Sequence, residues 1–495
     1  MSDVAARRPS VHGHAVNPWL VLVLVCMAQF MVILDATIVN VALPSIQRDL
    51  EMSDADLQWI VNAYTLVFGG FLLLGGRAGD LVGRKRIFLV GVVIFTVASL
   101  LNGLSTSSEM LIVCRGLQGL GAALVAPAAL SIITTTFAEG AVRAKAMSVW
   151  AAIAVGGGAV GLVLGGVLVD YFSWPWIFYV NIPVGIAVFV ASLRYVPESK
   201  DERSHKAFDV AGAVTVTAGL LILVYAIVKA QEKGWGSAHT LIVGGISLAL
   251  LAVFLLIERR SIEPLVRLSI FRVRTVRAAN VAMLFVAAGL FAMFFFNTLY
   301  LQRVLGYSPL EAGLAFLPFT GGIIIGAGLS QGLVAKVGAR ELPLIGMAMS
   351  IVGMLLFVRL QPGGDYVTDF LPGVMLASIG MGLTFVPVTL IATSGIPDSD
   401  AGLASGLYNT SQQIGGALGL AILSTLAVSA TDDTLADVGG RPTPDQQAHA
   451  LVDGFHVAYL GSALLIAAAA VLLLLLLRRQ DVVAVGHGEA ATVPV

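Results

Sequence analysis

Residues Val21–Val41 read VLVLVCMAQFMVILDATIVNV, an apolar run that contains a single carboxylate, Asp35. About 20 apolar residues match the length of an α-helix that crosses a bilayer. An ionised side chain at that depth is costly unless it is paired, protonated or directed into a wet cavity. The run therefore predicts a membrane-spanning helix with a functional acid, and the alternative is a structural ion pair inside a helix bundle.

The composition of the whole chain agrees with this prediction. Of 495 residues, 57% are hydrophobic and 12% are charged, about half the charged fraction of a soluble protein. The net charge of −1 gives no indication of nucleic-acid binding. Cys26 and Cys114 both lie in apolar runs and predict neither a disulfide framework nor a metal site. No nucleotide-binding loop of the form Gly-x4-Gly-Lys-Ser/Thr is present, and no nucleophile stands beside a base, so we expect no cofactor, no nucleotide and no enzyme activity.

The apolar runs predict an all-α polytopic membrane protein with fourteen spans. We expect them near 18–41, 57–76, 87–104, 109–135, 145–169, 175–194, 208–228, 239–257, 276–301, 309–334, 342–359, 369–393, 402–428 and 455–477. With the N-terminus inside, 22 of the 29 Lys and Arg residues fall in cytoplasmic segments, 6 in outer loops, and Arg115 in the membrane. That asymmetry predicts a cell-membrane protein with both termini cytoplasmic.

Two segments recur across the chain. Residues 157–162 (GGAVGL) match 415–420 (GGALGL), and the loop 78–85 (AGDLVGRK) has a weaker echo at 333–340 (LVAKVGAR). Both matches fall into register if spans 1–6 correspond to spans 9–14, with spans 7–8 inserted. This predicts a tail at 1–17, a six-helix bundle at 18–195, two inserted helices at 207–260, a second six-helix bundle at 273–477 and a tail at 478–495. Repeated halves with a site at their interface are typical of secondary transporters.

Four motifs give the chain its resemblance to the major facilitator superfamily, specifically to its drug:proton antiporters with fourteen spans. The first, Gly76–Arg86 (GRAGDLVGRKR), resembles the superfamily's cytoplasmic loop signature. Its glycines permit a tight turn, and Asp80 can accept hydrogen bonds from a helix end or from Arg84. The resemblance implies a conformational role for this motif, whose candidate residues are Gly76, Asp80, Gly83, Arg84 and Lys85. The arginines also suit a plain basic topology anchor.

The second and third motifs, Leu34–Pro44 and Leu111–Ala123, resemble the first-span and fourth-span motifs of these antiporters. By that resemblance, Asp35 is the expected proton site and Arg115 takes part in proton transfer. A depth count agrees with pairing, because each residue lies six positions from an outer span end, about 9 Å below the surface. They can meet if spans 1 and 4 are neighbours, which only the resemblance implies.

The fourth motif, 157–168 (GGAVGLVLGGVL), resembles the fifth-span antiporter motif. Gly157, Gly161, Gly165 and Gly166 form a smooth face that allows another helix to approach closely. Leu162 stands where the family usually has a proline. A further segment, 174–183 (WPWIFYVNIP), is interpreted as an interfacial aromatic anchor.

Polar and aromatic side chains in later spans are candidates for substrate contact. The ninth span ends in Asn297 and Tyr300 after a Phe-rich run, and the thirteenth carries Tyr408, Asn409, Gln412 and Gln413 on neighbouring positions. Gln118 of the fourth-span motif is a further candidate. A polar face in hydrocarbon looks towards a partner helix or a cavity, so helix packing is the alternative. No second deep acid is present, which favours a small lipophilic substrate that is neutral or carries one positive charge.

Together these patterns predict a proton-coupled antiporter of the facilitator fold that exports lipophilic drugs, antibiotics or related metabolites by alternating access. Protons, this substrate and the lipid bilayer are the expected partners. An uncoupled facilitator or lipid translocator of the same fold is one alternative, and a membrane sensor without transport is another.

Overall fold

The computed structural model describes residues 10–11, 14–15, 17–137, 140–199, 209–261, 264–396, 401–437 and 442–481. Most of the predicted tails, 1–17 and 478–495, lies outside the described residues. The same is true of six basic residues used to predict orientation: Arg7, Arg8, Lys200, Arg203, Lys206 and Arg441.

The first part of the chain forms two short strands and ten helices in its described ranges. They are β1 Ser10–Val11, β2 His14–Ala15, α1 Pro18–Asp49, α2 Asp54–Leu57, α3 Trp59–Val82, α4 Arg84–Gly103, α5 Ser108–Thr136, α6 Ala141–Tyr171, α7 Trp176–Tyr179, α8 Asn181–Tyr195, α9 Val210–Lys233 and α10 Ala238–Arg260. The strands pair antiparallel, Ser10 opposite Ala15 and Val11 opposite His14.

The second part contains seven α-helices, one 3₁₀ turn and two π-helical turns in its described ranges. The α-helices are α11 Arg274–Leu299, α12 Pro309–Ala315, α13 Leu317–Val337, α14 Glu341–Phe357, α15 Leu371–Ala392, α16 Ala401–Ala436 and α17 Pro444–Leu476. The 3₁₀ turn is Leu268–Arg272, and the π-helical turns are Tyr300–Val304 and Tyr366–Phe370.

Thirteen helical segments in the described part are long and apolar enough to cross a membrane. The 17-residue apolar helix α14 occupies the position of the eleventh predicted span. The all-α polytopic fold is therefore confirmed.

Two helices extend well beyond their predicted ends. The first span was expected to end near residue 41, but α1 continues through Pro44 to Asp49, because a proline inside a membrane helix is tolerated where neighbouring groups pair the freed backbone. Asp35 therefore lies farther from its helix end than the depth count assumed. The last span was expected from residue 455, but α17 begins at Pro444, where Thr443 and Gln446 form a capping box.

The two halves repeat the same packing pattern. In the N-terminal bundle (α1–α8), α1 packs on α6, α3 on α5, α4 on α5 and α4 on α8. In the C-terminal bundle (α11–α17), the corresponding pairs are α11 with α16, α13 with α15, α14 with α15 and α14 with α17. Gly83 ends α3 with φ 124°, and its counterpart Gly338 ends α13 with φ 107°. The repeat register read from the sequence thus matches the pairing of the helices.

Glycines set the close approach of α6 to α1. A Cβ atom added at Gly161 would lie 2.0 Å from Thr37 Oγ1 and 3.0 Å from the Leu34 carbonyl oxygen. On the other side of α6, a Cβ at Gly166 would lie 2.4 Å from the Leu310 Cα of the C-terminal bundle. The same device recurs in α16, where a Cβ at Gly415 would lie 2.1 Å from the Leu284 carbonyl oxygen of α11.

The variant Gly161→Ala should lower the free energy of unfolding by about 1–3 kcal/mol, because its methyl group overlaps Thr37 and the backbone of α1. Thermal unfolding of purified protein in detergent measures this. Gly158→Ala on the same helix is the control, since its Cβ would meet nothing nearer than 3.9 Å. Equal unfolding temperatures for the two variants would contradict the packing argument.

Candidate functional site

A buried ion pair connects α1 to α5. Arg115 Nη1 donates to Asp35 Oδ2 over 2.6 Å, and the side chains are 2% and 0% exposed. Among the ion pairs between described residues, no other has both side chains this deeply buried. The structure therefore brings together the acid and the base that the sequence singled out.

The second carboxylate oxygen of Asp35 is also fully engaged. Asp35 Oδ1 accepts from Gln118 Nε2 at 2.7 Å and from Asn181 Nδ2 at 2.9 Å. The hydroxyl of Ser99 accepts from both amides, at 3.2 and 3.0 Å, and donates to the Phe178 carbonyl. Each of these polar side chains is buried, and the hydrogen bonds offset the cost of removing the charge from water.

The guanidinium of Arg115 is fixed from several directions besides Asp35. Its Nε donates to the Ile60 carbonyl over 3.0 Å, and its Nη1 donates to Gln118 Oε1 over 2.7 Å. The ring of Tyr64 lies 4.3 Å from the guanidinium carbon, and the ring of Phe178 lies 5.8 Å from it. These contacts join α3, α5 and the α7 turn around a single cation.

The sequence analysis did not single out three members of this network. Ser99 and Asn102 lie in the third span, and Asn102 donates to Gln118 Oε1 over 2.7 Å. Asn181 belongs to the segment interpreted as an interfacial anchor, yet its side chain is buried on Asp35. The sequence did contain a signal for these residues: each is a polar side chain within an apolar span, and such side chains face the interior of a helix bundle.

A cavity of about 930 Å³ lies between the two bundles, next to the ion pair. Arg115 and Tyr64 line it, whereas Asp35 and Gln118 do not, so the carboxylate stands behind the cation and the phenol. In the described part of the C-terminal bundle, the side chains that line the cavity come from two helices, α11 and α16. The aromatic lining comprises Tyr64, Phe68, Trp150, Phe291, Phe294 and Phe295.

The sequence-predicted substrate contacts divide into two groups. Asn409, Gln412 and Gln413 line the cavity. Asn297, Tyr300 and Tyr408 are buried elsewhere and do not line it. Instead, Asn297 Oδ1 accepts from the Tyr459 hydroxyl at 2.7 Å, and the Tyr300 hydroxyl donates to the Gln361 carbonyl over 2.9 Å. Asn297 and Tyr300 thus hold helices of the C-terminal bundle together.

The cavity reaches one side of the helix layer. We call the N-terminal side the one on which α1 begins; because the spans alternate, α3 ends there and α16 begins there. Charged residues on this side line the cavity mouth: Arg77, Asp80, Asp209 and Arg267. The cavity thus runs from this mouth to the level of Arg115.

The predicted loop motif is anchored beside that mouth. Asp80 Oδ1 accepts from Arg84 Nη2 at 2.9 Å, while Gly83 adopts φ 124°, a conformation that favours glycine. Glu198 Oε1, after the end of α8, accepts from the Lys85 backbone N–H at 3.1 Å. Gly76 lines the cavity close to Pro127. The motif therefore joins the α3–α4 turn to the end of α8.

Two buried acids near the mouth were also missed. Asp209 caps α9 by accepting from the Gly212 N–H at 2.7 Å, and Glu258, near the end of α10, accepts from the Val266 N–H at 3.0 Å. Both residues are more than nine-tenths buried, although they lie at span ends. The sequence analysis did not single them out, because each lies at the end of an apolar run beside polar or basic residues.

On the side opposite the mouth, the two bundles are in direct contact. Arg303 Nη1 pairs with Asp54 Oδ1 at 2.7 Å, and its Nη2 donates to Gln47 Oε1. Gln302 Nε2 donates to the Val41 carbonyl over 2.8 Å, and Asp170 Oδ2 accepts from the Leu310 N–H at 3.0 Å. These bonds close the cavity on that side.

Two helix bundles of like topology around a cavity that reaches one side define the fold of a secondary transporter. The chain belongs to the Major Facilitator Superfamily, whose family model matches residues 25–420. It is therefore a membrane transporter of this superfamily, consistent with the resemblance in its motifs.

Known proteins of this kind are similar over most of the chain. The puromycin resistance protein pur8 of Streptomyces alboniger is 40% identical, with 92% of this chain and 89% of that protein covered. The cephamycin export protein CmcT of Amycolatopsis lactamdurans is 41% identical, with 85% and 87% covered. Among solved structures, a bacterial homolog of the human lysosomal transporter Spinster aligns with a TM-score of 0.66 at 17% identity, covering 94% of this chain and 98% of that chain.

Removing Arg115 alone should be strongly destabilising. The variant Arg115→Met leaves Asp35 buried without its cation, at a cost of about 3–5 kcal/mol of folding free energy. The double variant Asp35→Asn with Arg115→Met should recover most of that loss, because the amide needs no counter-charge. Thermal unfolding in detergent compares the three proteins. A double variant as unstable as Arg115→Met would show that the charge is not the cause.

Proposed function

We propose that this protein is a proton-coupled antiporter that exports small antibiotic-like molecules from the cytoplasm across the cell membrane. The observation that carries the proposal is the buried Asp35–Arg115 pair, which lies at the deep end of a cavity between two bundles. A titratable group beside a substrate cavity allows proton binding and substrate binding to oppose each other.

The proposed orientation places the N-terminal side in the cytoplasm. The excess of Lys and Arg in segments on that side supports it, following the positive-inside rule. In this orientation the cavity opens inward, and the Arg303–Asp54 contact closes the outer side. The arrangement corresponds to the state that takes up substrate from the cytoplasm or from the inner leaflet.

Proton coupling is assigned to Asp35 and Arg115. In the inward-open arrangement the carboxylate is fully paired, and water in the cavity reaches the guanidinium first. Movement of Arg115 away from Asp35 would remove the counter-charge and favour protonation of the acid. Entry of substrate beside Arg115 therefore affects the group that binds the proton.

Substrate contact is assigned to one face of α16 and one face of α11. Asn409, Gln412 and Gln413 offer amide donors and acceptors, while Phe291 and Phe294 offer aromatic surface across the same cavity. A few polar groups within a mostly apolar lining suit lipophilic molecules with scattered hydrogen-bonding groups. The relatives named for puromycin and cephamycin support this substrate class.

The moving parts are the bundles 18–195 and 273–477, with 207–260 as the inserted pair and 1–17 and 478–495 as cytoplasmic tails. Rocking of one bundle against the other would open the outer contact and close the inner mouth. Two features are proposed to act in this movement: the close packing of α6 on α12 at Gly166, and the motif Gly76–Arg86, which is bonded to Glu198. Packing of α9 on α3 and α16 links the inserted pair to both bundles.

The test of coupling uses protein reconstituted in proteoliposomes, with puromycin and cephamycin as the compounds. Wild-type protein should accumulate at least one of them when a pH gradient is imposed. Asp35→Asn should abolish that accumulation while still permitting downhill movement, because the cavity remains but the titratable group is lost. Since this variant leaves Arg115 without its counter-charge, rates are compared per amount of folded protein that purifies as a single species. Asp56→Asn, which changes a partly exposed acid on the opposite side, is the control and should behave as the wild type.

The outcomes separate the alternatives. Downhill transport in both wild type and Asp35→Asn, with no effect of the pH gradient, would indicate an uncoupled facilitator. Movement of a fluorescent phospholipid in place of both compounds would indicate a lipid translocator. No movement of any probe would contradict the transporter proposal and favour a sensor.

Alternating access requires that the outer contact opens during each cycle. In a background where Cys26 and Cys114 are replaced by Ala, the pair Asp54→Cys and Arg303→Cys should stop transport once joined by a short thiol cross-linker. The pair Lys229→Cys and Glu232→Cys, within α9 alone, is the matched control and should leave transport unaffected. Full activity of the cross-linked Asp54–Arg303 pair would rule out opening at this contact.

A further inference from the structure

Tyr64 occupies a position between the cavity and the ion pair. Its side chain is 3% exposed and lines the cavity, and its ring lies 4.3 Å from the guanidinium carbon of Arg115. Rings within about 6 Å of a cation attract it through the negative face of their π-system. One side chain thus touches both the proposed substrate space and the proposed proton machinery.

The hydroxyl of Tyr64 has no hydrogen-bond partner. The hydroxyls of Tyr300 and Tyr179 donate to carbonyls, and that of Tyr459 donates to Asn297. The buried hydroxyl of Tyr408 is also without a partner, but Tyr408 does not line the cavity. A buried phenol without a partner is costly, so a position that keeps one often serves a ligand. The hydroxyl itself is shielded, but Tyr64 lines the cavity, so a bound molecule that displaces the packing around the ring can supply the missing partner.

The charges of the cavity wall define what such a partner must be. At the level of Tyr64 the wall presents the guanidinium of Arg115, while the acids that line the cavity among the described residues, Asp80 and Asp209, lie at the mouth. A donor hydroxyl beside a cation favours an oxygen acceptor, and it disfavours a positively charged group at this depth.

We propose that Tyr64 connects substrate binding to proton binding: its hydroxyl donates to an ether, carbonyl or hydroxyl oxygen of the substrate, and its ring holds Arg115 against Asp35. The substrate enters with its oxygen-bearing end deep and any cationic group towards Asp80 and Asp209. This inference rests on the proposed function for its substrate half. Its proton half rests on the contact between the ring and Arg115 alone.

Three variants separate the two roles. Tyr64→Phe keeps the ring over Arg115 and removes the hydroxyl. Tyr64→Met removes both and fills most of the space with an adaptable side chain; Tyr64→Leu replaces it if that protein does not purify as a single species. Tyr408→Phe is the control, since this buried tyrosine does not line the cavity.

Two measurements are made on each purified protein in detergent. Binding of puromycin, which carries ether, amide and hydroxyl oxygens, is followed by quenching of tryptophan fluorescence, since Trp150 lines the cavity. Titration of the Asp35 carboxyl is followed by its infrared band, which Asp35→Asn identifies. The second measurement needs no substrate and no transport.

We expect Tyr64→Phe to raise the Kd for puromycin by about 5–10-fold and to leave the carboxyl titration unchanged, because one neutral hydrogen bond is lost. Tyr64→Met should weaken binding as well and move the titration midpoint by about half a pH unit or more, because Arg115 loses its ring contact. Tyr408→Phe should change neither.

Unaltered puromycin binding by Tyr64→Phe, or no binding by the wild type, would overturn the substrate half. An unmoved carboxyl titration in Tyr64→Met would overturn the proton half. Failure of the proposed function has a different signature: wild-type proteoliposomes would show no accumulation driven by a pH gradient, whatever the variants at Tyr64 do in detergent.

Discussion

The carboxylate of Asp35 needs a counter-charge, and most of the N-terminal bundle is arranged around that need. A fully buried acid survives in a membrane helix only with a cation and enough donors, which come here from α5 and α8. Arg115 in turn needs acceptors and aromatic surface, which α3 and α7 supply. One desolvated charge thereby fixes the relative positions of helices that are far apart in the chain. Any displacement of Arg115 therefore changes the contacts of all these helices.

The position of this pair determines which side chains separate the cavity from the acid. Because Arg115 and Tyr64 form part of the wall and Asp35 lies behind them, the cavity communicates with the acid only through those two side chains. The opposite side is held by polar contacts between bundles, with Arg303 and Gln302 reaching residues of α1 and α2. The Arg303–Asp54 pair is partly exposed, and ion pairs of that kind exchange partners with water at modest cost. A tightly bonded ion pair inside one bundle, together with weaker polar contacts between the bundles, suits a protein whose bundles move relative to each other.

Sequence reasoning reached the fold and the charge pair because both depend on hydrocarbon length and on the cost of buried charge. It reached only part of the cavity wall. Asn297 and Asn409 both sit in apolar spans, yet one pairs with Tyr459 and the other faces the cavity; inward orientation alone does not tell a packing partner from open space. Asn181 was hidden by its aromatic neighbours, and the ends of α1 and α17 depended on local caps. The contact of Arg303 with Asp54 joins residues 249 apart in the chain, which no local pattern indicates.

The repeated halves have diverged in what they bring to the cavity. The N-terminal bundle supplies the guanidinium of Arg115 and the phenol of Tyr64, whereas the C-terminal bundle, in its described part, supplies phenyl rings and uncharged amides from α11 and α16. Substitutions on those two helix faces alter the shape and polarity of the cavity wall and leave the Asp35–Arg115 pair unchanged. Under the proposed function, a lineage carrying this architecture can therefore acquire new substrates through a handful of changes on two helices while the proposed coupling pair stays intact.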